Sequence, residues 1–506
     1  MGLTPDWPTR DLLSHRVATT PEATALVDAT DGTAWTYADL DAVVNDLVPT
    51  LRSAHGSPVT GGEARPRVGI GATTTPAFVA ALHATWRFGA TAIPLSVSQP
   101  AETLRTRLDR LDVGLYLDTA DEDQLSAVDW HGRKATVDSA LDGDPDHEHE
   151  RSGHARADAT WGPDETALIL FTSGTTGRAK GVGLTPGNLV ASAAASAFRL
   201  GVSQADRWYG CLPTNHMGGL APIVRSTLYG TGVVLESGFD ANRTPALMAE
   251  HDATGISLVP TMLRRLLDRD WQPHEALRFV LLGGAPASPE LLETCQTVGV
   301  PVYPTYGTTE TASQIATATP DEAFANPETV GSPLVTASVT IVDAATGEPV
   351  EAGTVGELVV DGPIVTPGYL DETATEVAMG PHGLHTGDLA KRNTAGKLQI
   401  LGRLDDAIQT GGETVHPTQV IEALRELPDV ADAAVVGVSD PEWGERVAAL
   451  VVPTEESAPD TDALRASLRE RLAPHAVPKV LGTADQLPRT ASGTVDRDAV
   501  RERLRE

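Results

Sequence analysis

The sequence contains little cysteine, little lysine and no long hydrophobic run. Its two cysteines, Cys211 and Cys295, form no CxxC pair, which excludes a disulfide framework and a cysteine-based metal pair. No run of about 18 apolar residues occurs, so we expect no membrane-spanning helix and no stable membrane insertion. The first residues lack a basic segment followed by an apolar core, so we expect no signal peptide and a cytoplasmic location.

The net charge is strongly negative because basic residues are scarce. The chain has 38 lysines and arginines, of which five are lysines, against 69 acidic residues, and its net charge is −31. No basic stripe is present, so nucleic-acid binding is disfavoured. The acidic residues are spread along the whole chain, which favours a surface adapted to a high-salt cytoplasm over a binding face for a basic partner.

The order of predicted elements indicates an α/β fold with more than one domain. A chain of 506 residues is too long for a single core. Strand-like and helix-like segments alternate along the first half, and short alternating strands over Val330–Val360 predict a small β subdomain. We predict a large domain of layered α/β sheets plus this subdomain over 1–403, and a small α+β domain over 404–506. The oligomeric state stays open, a homodimer included.

A Gly- and Thr-rich loop is the main candidate site. The apolar run Ala167–Phe171 predicts a buried strand that leads into it. Small residues let backbone amides surround an anion, and Lys180 adds a positive charge. The loop is not a Walker A motif, because Ala179 precedes the lysine and Gly181 follows it. A plain surface turn is the alternative. The candidate phosphate-binding residues are Thr172, Ser173, Gly174, Thr175, Thr176, Gly177 and Lys180.

Polar and small residues also follow predicted strands further along the chain. Gly283-Gly284 ends one strand, and the segment 306–310, Tyr-Gly-Thr-Thr-Glu, ends another. The latter also suits a turn and a helix N-terminus with a glutamate in its first turn. Asp388, after Thr-Gly, is equally compatible with a turn cap, and a lone His216 before a helix is usually structural. We interpret the acidic and histidine-rich run 146–150 as a solvated loop in preference to a metal site.

These motifs, taken in order, resemble those of the adenylate-forming enzymes, which include acyl-CoA synthetases, luciferases and peptide-synthetase adenylation domains. The resemblance covers nearly the whole chain. It implies that a carboxylate attacks the α-phosphorus of ATP, with Mg²⁺, to give acyl-AMP and pyrophosphate. A thiol, expected to be coenzyme A, then displaces AMP. The matching segments are Thr-Ser-Gly-Thr-Thr-Gly-x-x-Lys-Gly at 172–181, Tyr-Gly-x-Thr-Glu at 306–310, Thr-Gly-Asp at 386–388 and Gly-Arg-x-Asp at 402–405.

The resemblance also implies roles for residues outside the loop. Glu310 would hold Mg²⁺, His216 would lie beside the acyl and phosphate groups, and Asp405 would be the hinge of a small mobile C-terminal domain. Gly284 and Tyr306 would flank the adenine. The implied nucleotide-binding residues beyond the loop are Gly284, Tyr306, Gly307, Thr309, Asp388 and Arg403, and the implied CoA-binding residues are Gly411, Gly412 and Trp443.

Two segments, 216–230 and 306–315, resemble the o-succinylbenzoate-CoA ligases of menaquinone synthesis. That acid has two carboxylates, and the one that does not react needs a fixed cation or a set of donors. Arg225 is the candidate cation, although a surface role for it is an equal alternative. A CoA ligase for another aryl or medium-chain acid is the runner-up. The implied substrate-binding residues are His216, Arg225, Gly283, Ser313 and Gln314.

One position departs from the family pattern. Thr494 stands where relatives have a lysine that bridges the substrate carboxylate and the α-phosphate. Removing one such donor costs roughly 10²–10³ in rate, and threonine is short and uncharged. Another cation, one of Arg489, Arg497 and Lys479, is one explanation. Slow adenylation with intact thioester formation is a second, and a nucleotide-binding homologue that does not adenylate is a third.

Overall fold

The structure is a computed structural model that describes residues 10–55, 65–119, 130–137, 159–172, 180–454, 460–489 and 495–505. Three sets of sequence predictions lie outside the described residues. They are the acidic run 146–150, the missing-lysine position Thr494, and the loop positions Ser173, Gly174, Thr175, Thr176 and Gly177.

The helices begin and end where the sequence supplies caps. Thr75 caps the fully buried helix Pro76–Phe88, and Gly89 ends it at a φ of 89°. Thr185 and Asn188 form a reciprocal capping box at the start of another helix. The helices of the described residues are α1 (Leu12–Val17), α2 (Tyr37–His55), α3 (Pro76–Phe88), α4 (Ala101–Arg110), α5 (Pro186–Leu200), α6 (Met217–Tyr229), α7 (Thr244–Glu250), α8 (Pro260–Leu267), α9 (Pro289–Val298), α10 (Pro320–Ala325), α11 (Glu372–Ala378), α12 (Pro417–Arg425), α13 (Thr461–Arg469) and α14 (Arg497–Arg503).

The strands are short, and those at the centre of the large sheets are almost wholly apolar. The strands of the described residues are β1 (Thr24–Asp28), β2 (Ala34–Thr36), β3 (Arg67–Ala72), β4 (Thr91–Ser96), β5 (Leu115–Asp118), β6 (Arg133–Thr136), β7 (Leu168–Thr172), β8 (Lys180–Leu184), β9 (Arg207–Gly210), β10 (Gly232–Leu235), β11 (Gly255–Leu258), β12 (Phe279–Leu282), β13 (Val302–Thr308), β14 (Ser313–Thr317), β15 (Ser332–Pro333), β16 (Ser338–Val342), β17 (Gly356–Asp361), β18 (Gly368–Tyr369), β19 (Met379–Gly380), β20 (Gly383–Arg392), β21 (Leu398–Arg403), β22 (Ile408–Thr410), β23 (Glu413–Val415), β24 (Val430–Asp440), β25 (Gly444–Pro453) and β26 (Val480–Thr483).

Two large mixed sheets organise the first part of the chain. One has the order β15-β14-β13-β12-β11-β9-β10-β1-β2, and the other has the order β18-β8-β7-β4-β3-β5-β6. Their central pairs are parallel, while β7–β8, β8–β18 and β13–β14 are antiparallel. The largest apolar cluster joins side chains of both sheets to α2, α3 and α6. Parallel strands with helices on their faces explain the near-continuous apolar runs in the sequence.

The chain divides into two compact units, Met1–Ser338 with Asp361–Pro381, and Val339–Val360 with His382–Glu506. In the second unit, β20 pairs with both β17 and β21. A further sheet there has the order β23-β22-β25-β24, with β26 on β25, and apolar clusters cover both of its faces. The domain boundary predicted between residues 403 and 404 stays a prediction.

The predicted fold class is confirmed. Layered α/β sheets, a small β subdomain and a smaller α+β part that contains α12 and α13 are all present. Within the described ranges, no helix combines the length and the apolar composition that a bilayer crossing needs.

Candidate active site

The predicted phosphate loop connects two antiparallel strands. β7 ends at Thr172 and β8 begins at Lys180, and these two residues face each other in the sheet. The pairing holds both ends of the loop at one place, and the chain continues as a strand from the lysine onward. A helix would follow a Walker A loop, so the geometry agrees with the different motif inferred from the sequence.

Lys180 and Glu310 are brought together by a tyrosine that sequence analysis missed. The ammonium of Lys180 lies 5.2 Å from the ring centroid of Tyr369. The hydroxyl of Tyr369 donates a 2.9 Å hydrogen bond to Oε1 of Glu310. No local sequence signal could have found this contact, because the three residues lie on segments far apart in the chain.

The segment that carries Tyr306 and Glu310 is a strand, a turn and a second strand. β13 extends through Thr308, one 3₁₀ turn spans Thr309–Thr311, and β14 follows. The expected turn and helix N-terminus is present as this single 3₁₀ turn, which Thr308 caps and which holds Glu310 in its first turn. A Cβ on Gly307 would lie 1.6 Å from the backbone oxygen of Ser313, so only glycine fits against the returning strand.

Two residues after Glu310 have a strained backbone. Ala312 has a φ of 49° and Ser313 a φ of 116°, values that residues with a side chain rarely adopt. The turn places Thr309 and Glu310 half-buried at the end of β13.

Gly283 and Gly284 follow the neighbouring strand β12, and Gly284 has a φ of 79°. The predicted adenine and phosphate residues thus end adjacent strands of one sheet.

Arg225 is buried, which excludes the surface role considered as its alternative. Its side chain is on α6 and the residue is 2% exposed. Nη2 lies 3.4 Å from Oγ of Ser192, which itself donates a 2.7 Å bond to the carbonyl of Ala312. Among the described residues, no carboxylate lies within 4 Å of the guanidinium. Burial lowers the pKa of Arg225, and Tyr229 partly opposes this shift.

Gln314 and His216 lie in the same unit, and Gln314 has one buried polar atom without a partner among the described residues. Gln314 is 1% exposed, and its amide nitrogen donates to Thr317. Its amide oxygen is buried and accepts no hydrogen bond from a described residue. His216 occupies the N-cap position of α6 without capping it, and burial lowers its pKa. Nε2 of His216 lies 3.1 Å from the amide nitrogen of Asn215. The free amide oxygen of Gln314 is able to accept a hydrogen bond from a ligand.

The second unit holds the predicted ribose site. Asp388 on β20 faces Arg403 on β21, and Nη1 of the arginine lies 3.1 Å from Oδ1 of the aspartate. The same nitrogen donates to the carbonyl of Thr386. The ion pair fixes the orientation of the Asp388 carboxylate, which a bidentate acceptor for the ribose hydroxyls requires.

The three cations considered as replacements for the lysine lie in different surroundings. Arg497 donates a hydrogen bond to Asp406, beside the exposed Asp405. Burial lowers the pKa of Arg497, as do Arg501 and Arg403, while Asp388 raises it, so Arg497 lies within electrostatic range of the predicted ribose site. Arg489 instead pairs with Asp432 at 2.9 Å, and Lys479 lines a basic pocket.

The predicted CoA-binding residues meet at one edge of the second unit. Gly411 and Gly412 both have positive φ, and the amide of Gly411 donates to the carbonyl of Trp443 at 2.9 Å. A Cβ on Gly411 would lie 2.6 Å from the indole ring of Trp443. Trp443 itself is 47% exposed. The glycine turn therefore supports an exposed aromatic surface.

Comparison with known proteins gives the family. The AMP-binding enzyme family matches residues 13–370, and the AMP-binding enzyme C-terminal domain matches 420–494. The chain is 36% identical over 437 residues to the 2-succinylbenzoate–CoA ligase of Bacillus velezensis, covering 86% of this chain and 87% of that protein.

Solved structures support the same relationship. The o-succinylbenzoate CoA synthetase of Bacillus subtilis, in complex with its acyl-adenylate intermediate, has a TM-score of 0.86 at 32% identity and covers 97% of this chain and 98% of its own. The same enzyme with ATP and magnesium has a TM-score of 0.86 at 32% identity, with coverage of 98% and 99%. The chain belongs to the AMP-binding enzyme family.

Proposed function

We propose that the chain is an ATP-dependent, AMP-forming acid–CoA ligase that activates o-succinylbenzoate in menaquinone synthesis. The observation that carries the choice of acid is the buried guanidinium of Arg225, which has no carboxylate partner among the described residues. A buried charge without a counter-ion is costly, and the second carboxylate of this acid would relieve it. The Bacillus velezensis and Bacillus subtilis relatives are ligases of that acid, which supports the proposal.

The first half-reaction joins the acid to the nucleotide. A carboxylate oxygen bonds to the α-phosphorus of ATP, and the bond to the bridging oxygen breaks to release pyrophosphate. Lys180, at the mouth of the loop, would offset the charge of the phosphates, while Asp388 and Arg403 would fix the ribose. Catalysis of this kind depends on positioning and on charges placed in advance.

The residues around Glu310 fit a magnesium ion. One of its oxygens accepts the bond from Tyr369, and the other accepts no hydrogen bond from a described residue. Mg²⁺ prefers one or two carboxylates together with phosphate oxygens. When bound to Glu310, it would offset negative charge on the phosphates.

The second half-reaction transfers the acyl group to a thiol. The sulfur of CoA bonds to the acyl carbon, and the bond from that carbon to AMP breaks. We propose a rotation of the C-terminal domain about Asp405 between the two steps, since a hinge between rigid bodies commonly serves such a motion. The exposed ring of Trp443, with Gly411 and Gly412, is the proposed contact for CoA.

Arg497 is the proposed replacement for the lysine absent at Thr494. Asp388 and Arg403, the proposed ribose residues, both act on the pKa of Arg497: Asp388 raises it and Arg403 lowers it. Arg489 is already paired with Asp432. A homologue that binds the nucleotide without adenylation is the second candidate function, and the threonine at 494 is the observation that favours it.

The net charge of −31 supports work in a high-salt cytoplasm. Self-repulsion between surface carboxylates falls as the screening length shrinks to about 3 Å at molar salt. We therefore expect the melting temperature and the activity to rise from about 0.1 M to molar KCl. A melting temperature that is highest at low salt would contradict this part of the proposal.

Product analysis tests the ligase proposal. Pyrophosphate release and acyl-CoA mass would be measured with o-succinylbenzoate, ATP, Mg²⁺ and CoA in molar KCl, for this chain and for Thr494→Lys. Benzoate and hexanoate serve as alternative acids. Product from both proteins with o-succinylbenzoate supports the proposal and a substitute cation.

The other outcomes separate the alternatives. Product from Thr494→Lys alone would mean that the acid is right and that this chain does not adenylate well. Product only from benzoate or hexanoate would overturn the choice of acid. Tight ATP binding without pyrophosphate release from any acid, in both proteins, would favour the non-adenylating homologue.

A further inference from the structure

Tyr369 contacts both the cation and the carboxylate of the proposed phosphate site. We propose that Tyr369 is a positioning residue for nucleotide binding, which holds Lys180 with its ring and Glu310 with its hydroxyl and keeps the two apart. The proposal rests on the proposed function of this site as an ATP site. Its geometric basis is the 5.2 Å distance from the ammonium to the ring centroid and the 2.9 Å hydrogen bond to Oε1.

The backbone fixes Tyr369 between these two partners. β18 pairs antiparallel with β8, so that Tyr369 faces Val182, and the amide of Leu370 donates to the carbonyl of Gly181 at 2.8 Å. On the other side, the amide of Thr366 donates to the carbonyl of Glu310 at 2.7 Å. The segment is therefore bonded both to the strand of the lysine and to the turn of the glutamate.

In the proposed role, Tyr369 prevents an ion pair between Lys180 and Glu310. A lysine and a glutamate placed directly together would form an ion pair, and neither would be free for a ligand. Among the described residues, neither Lys180 nor Glu310 makes an ion pair within 4 Å. The ring face attracts the ammonium, and the hydroxyl donates to one carboxylate oxygen. The ammonium stays available for a phosphate and the second oxygen for a metal ion.

Core packing is the competing explanation for this side chain. The ring of Tyr369 also packs against the largest apolar cluster. Tyr303, on β13 of the other large sheet, packs against the same cluster. Among the described residues, no hydrogen bond or cation–π contact joins it to Lys180 or Glu310. Tyr303→Phe is therefore a matched control for Tyr369→Phe, since each removes one hydroxyl and keeps a ring.

Calorimetric ATP binding, with and without Mg²⁺, tests the proposal on the full chain. Mg²⁺ should tighten ATP binding in Tyr369→Phe as well, but the Mg²⁺ concentration that gives half of this effect should be about tenfold higher than in the wild type. The reason is that Glu310 loses the hydrogen bond that orients its carboxylate. The metal-free ATP affinity of Tyr369→Phe should stay within about twofold, because the ring still holds the lysine. Tyr369→Leu should lose about tenfold in metal-free affinity as well. Tyr303→Phe should match the wild type in both titrations.

The outcomes distinguish this proposal from the proposed function. ATP binding requires no acid, so a wrong choice of acid leaves the test unaffected. A Tyr369→Phe variant whose Mg²⁺ titration matches that of Tyr303→Phe would overturn the positioning role. So would a Tyr369→Leu variant with unchanged metal-free affinity and a lowered melting temperature, since that result describes a packing residue alone.

Discussion

Two arginines of the first unit are equally buried and have opposite surroundings. Arg87 on α3 and Arg225 on α6 are each 2% exposed. Arg87 lies 3.3 Å from a carboxylate oxygen of Asp11 and 2.7 Å from one of Asp41. Arg225 meets a serine hydroxyl and no carboxylate among the described residues. Burial alone therefore does not single out a candidate functional cation. Arg225 is the candidate because it has no counter-ion among the described residues, whereas a folded protein usually compensates a buried charge.

The largest expected effect is a difference in stability between two variants, each of which lacks one of these buried charges. Arg87→Leu would leave two buried carboxylates unpaired and should lower the free energy of unfolding by about 3–5 kcal/mol. Arg225→Leu leaves no buried carboxylate without a counter-ion, so it should lower the free energy of unfolding much less. Urea denaturation at pH 7 in molar KCl measures both. Equal losses for the two variants would mean that Arg225 is a structural residue too.

The second prediction concerns the substrate. Arg225→Leu should raise the KM for o-succinylbenzoate by about a hundredfold, because the second carboxylate loses its buried counter-ion. The KM for ATP should change by less than about twofold, since no nucleotide residue is altered. Steady-state kinetics on both substrates provides the measurement. Parallel increases in the two KM values would remove Arg225 from the acid site.

The third and smallest effect concerns His83, which links the helices of the two arginines. Its Nε2 lies 3.3 Å from Oγ1 of Thr227 on α6. Burial lowers the pKa of His83 to about 4, with Asp11 raising it and Arg87 lowering it further. A histidine with a depressed folded pKa stabilises the fold above its ordinary pKa of 6.5, and this stability is lost as the pH falls towards 4.

Lowering the pH from 7 to 5.5 should therefore lower the free energy of unfolding of the wild type by about 1 kcal/mol, because His83 binds a proton in the unfolded state and not in the folded state. In His83→Gln that part of the loss should disappear, so the variant should show a flatter dependence of unfolding free energy on pH. Urea denaturation at the two pH values tests this. An identical pH dependence in both proteins would mean that His83 is not held neutral in the fold.

The local parts of the site could be predicted from residues close in sequence. The apolar run Ala167–Phe171, which leads into the Gly- and Thr-rich loop, predicted β7. Gly307 and Gly284 occupy positions where a close approach or a positive φ requires glycine. The helix N-terminus expected around Glu310 is limited to one 3₁₀ turn, because the chain then pairs as β14 with β13.

The α/β class, the family motifs and their order can be inferred from the amino-acid sequence alone, since these depend on local composition and on spacing along the chain. Tertiary contacts are needed to show that Arg87 has two carboxylate partners, that Arg225 has none among the described residues, and that Tyr369 contacts both Lys180 and Glu310. Those facts depend on which distant segments the sheets and helices bring together. A charged side chain is structural or functional according to its neighbours, and neighbours from remote parts of the chain leave no local signal.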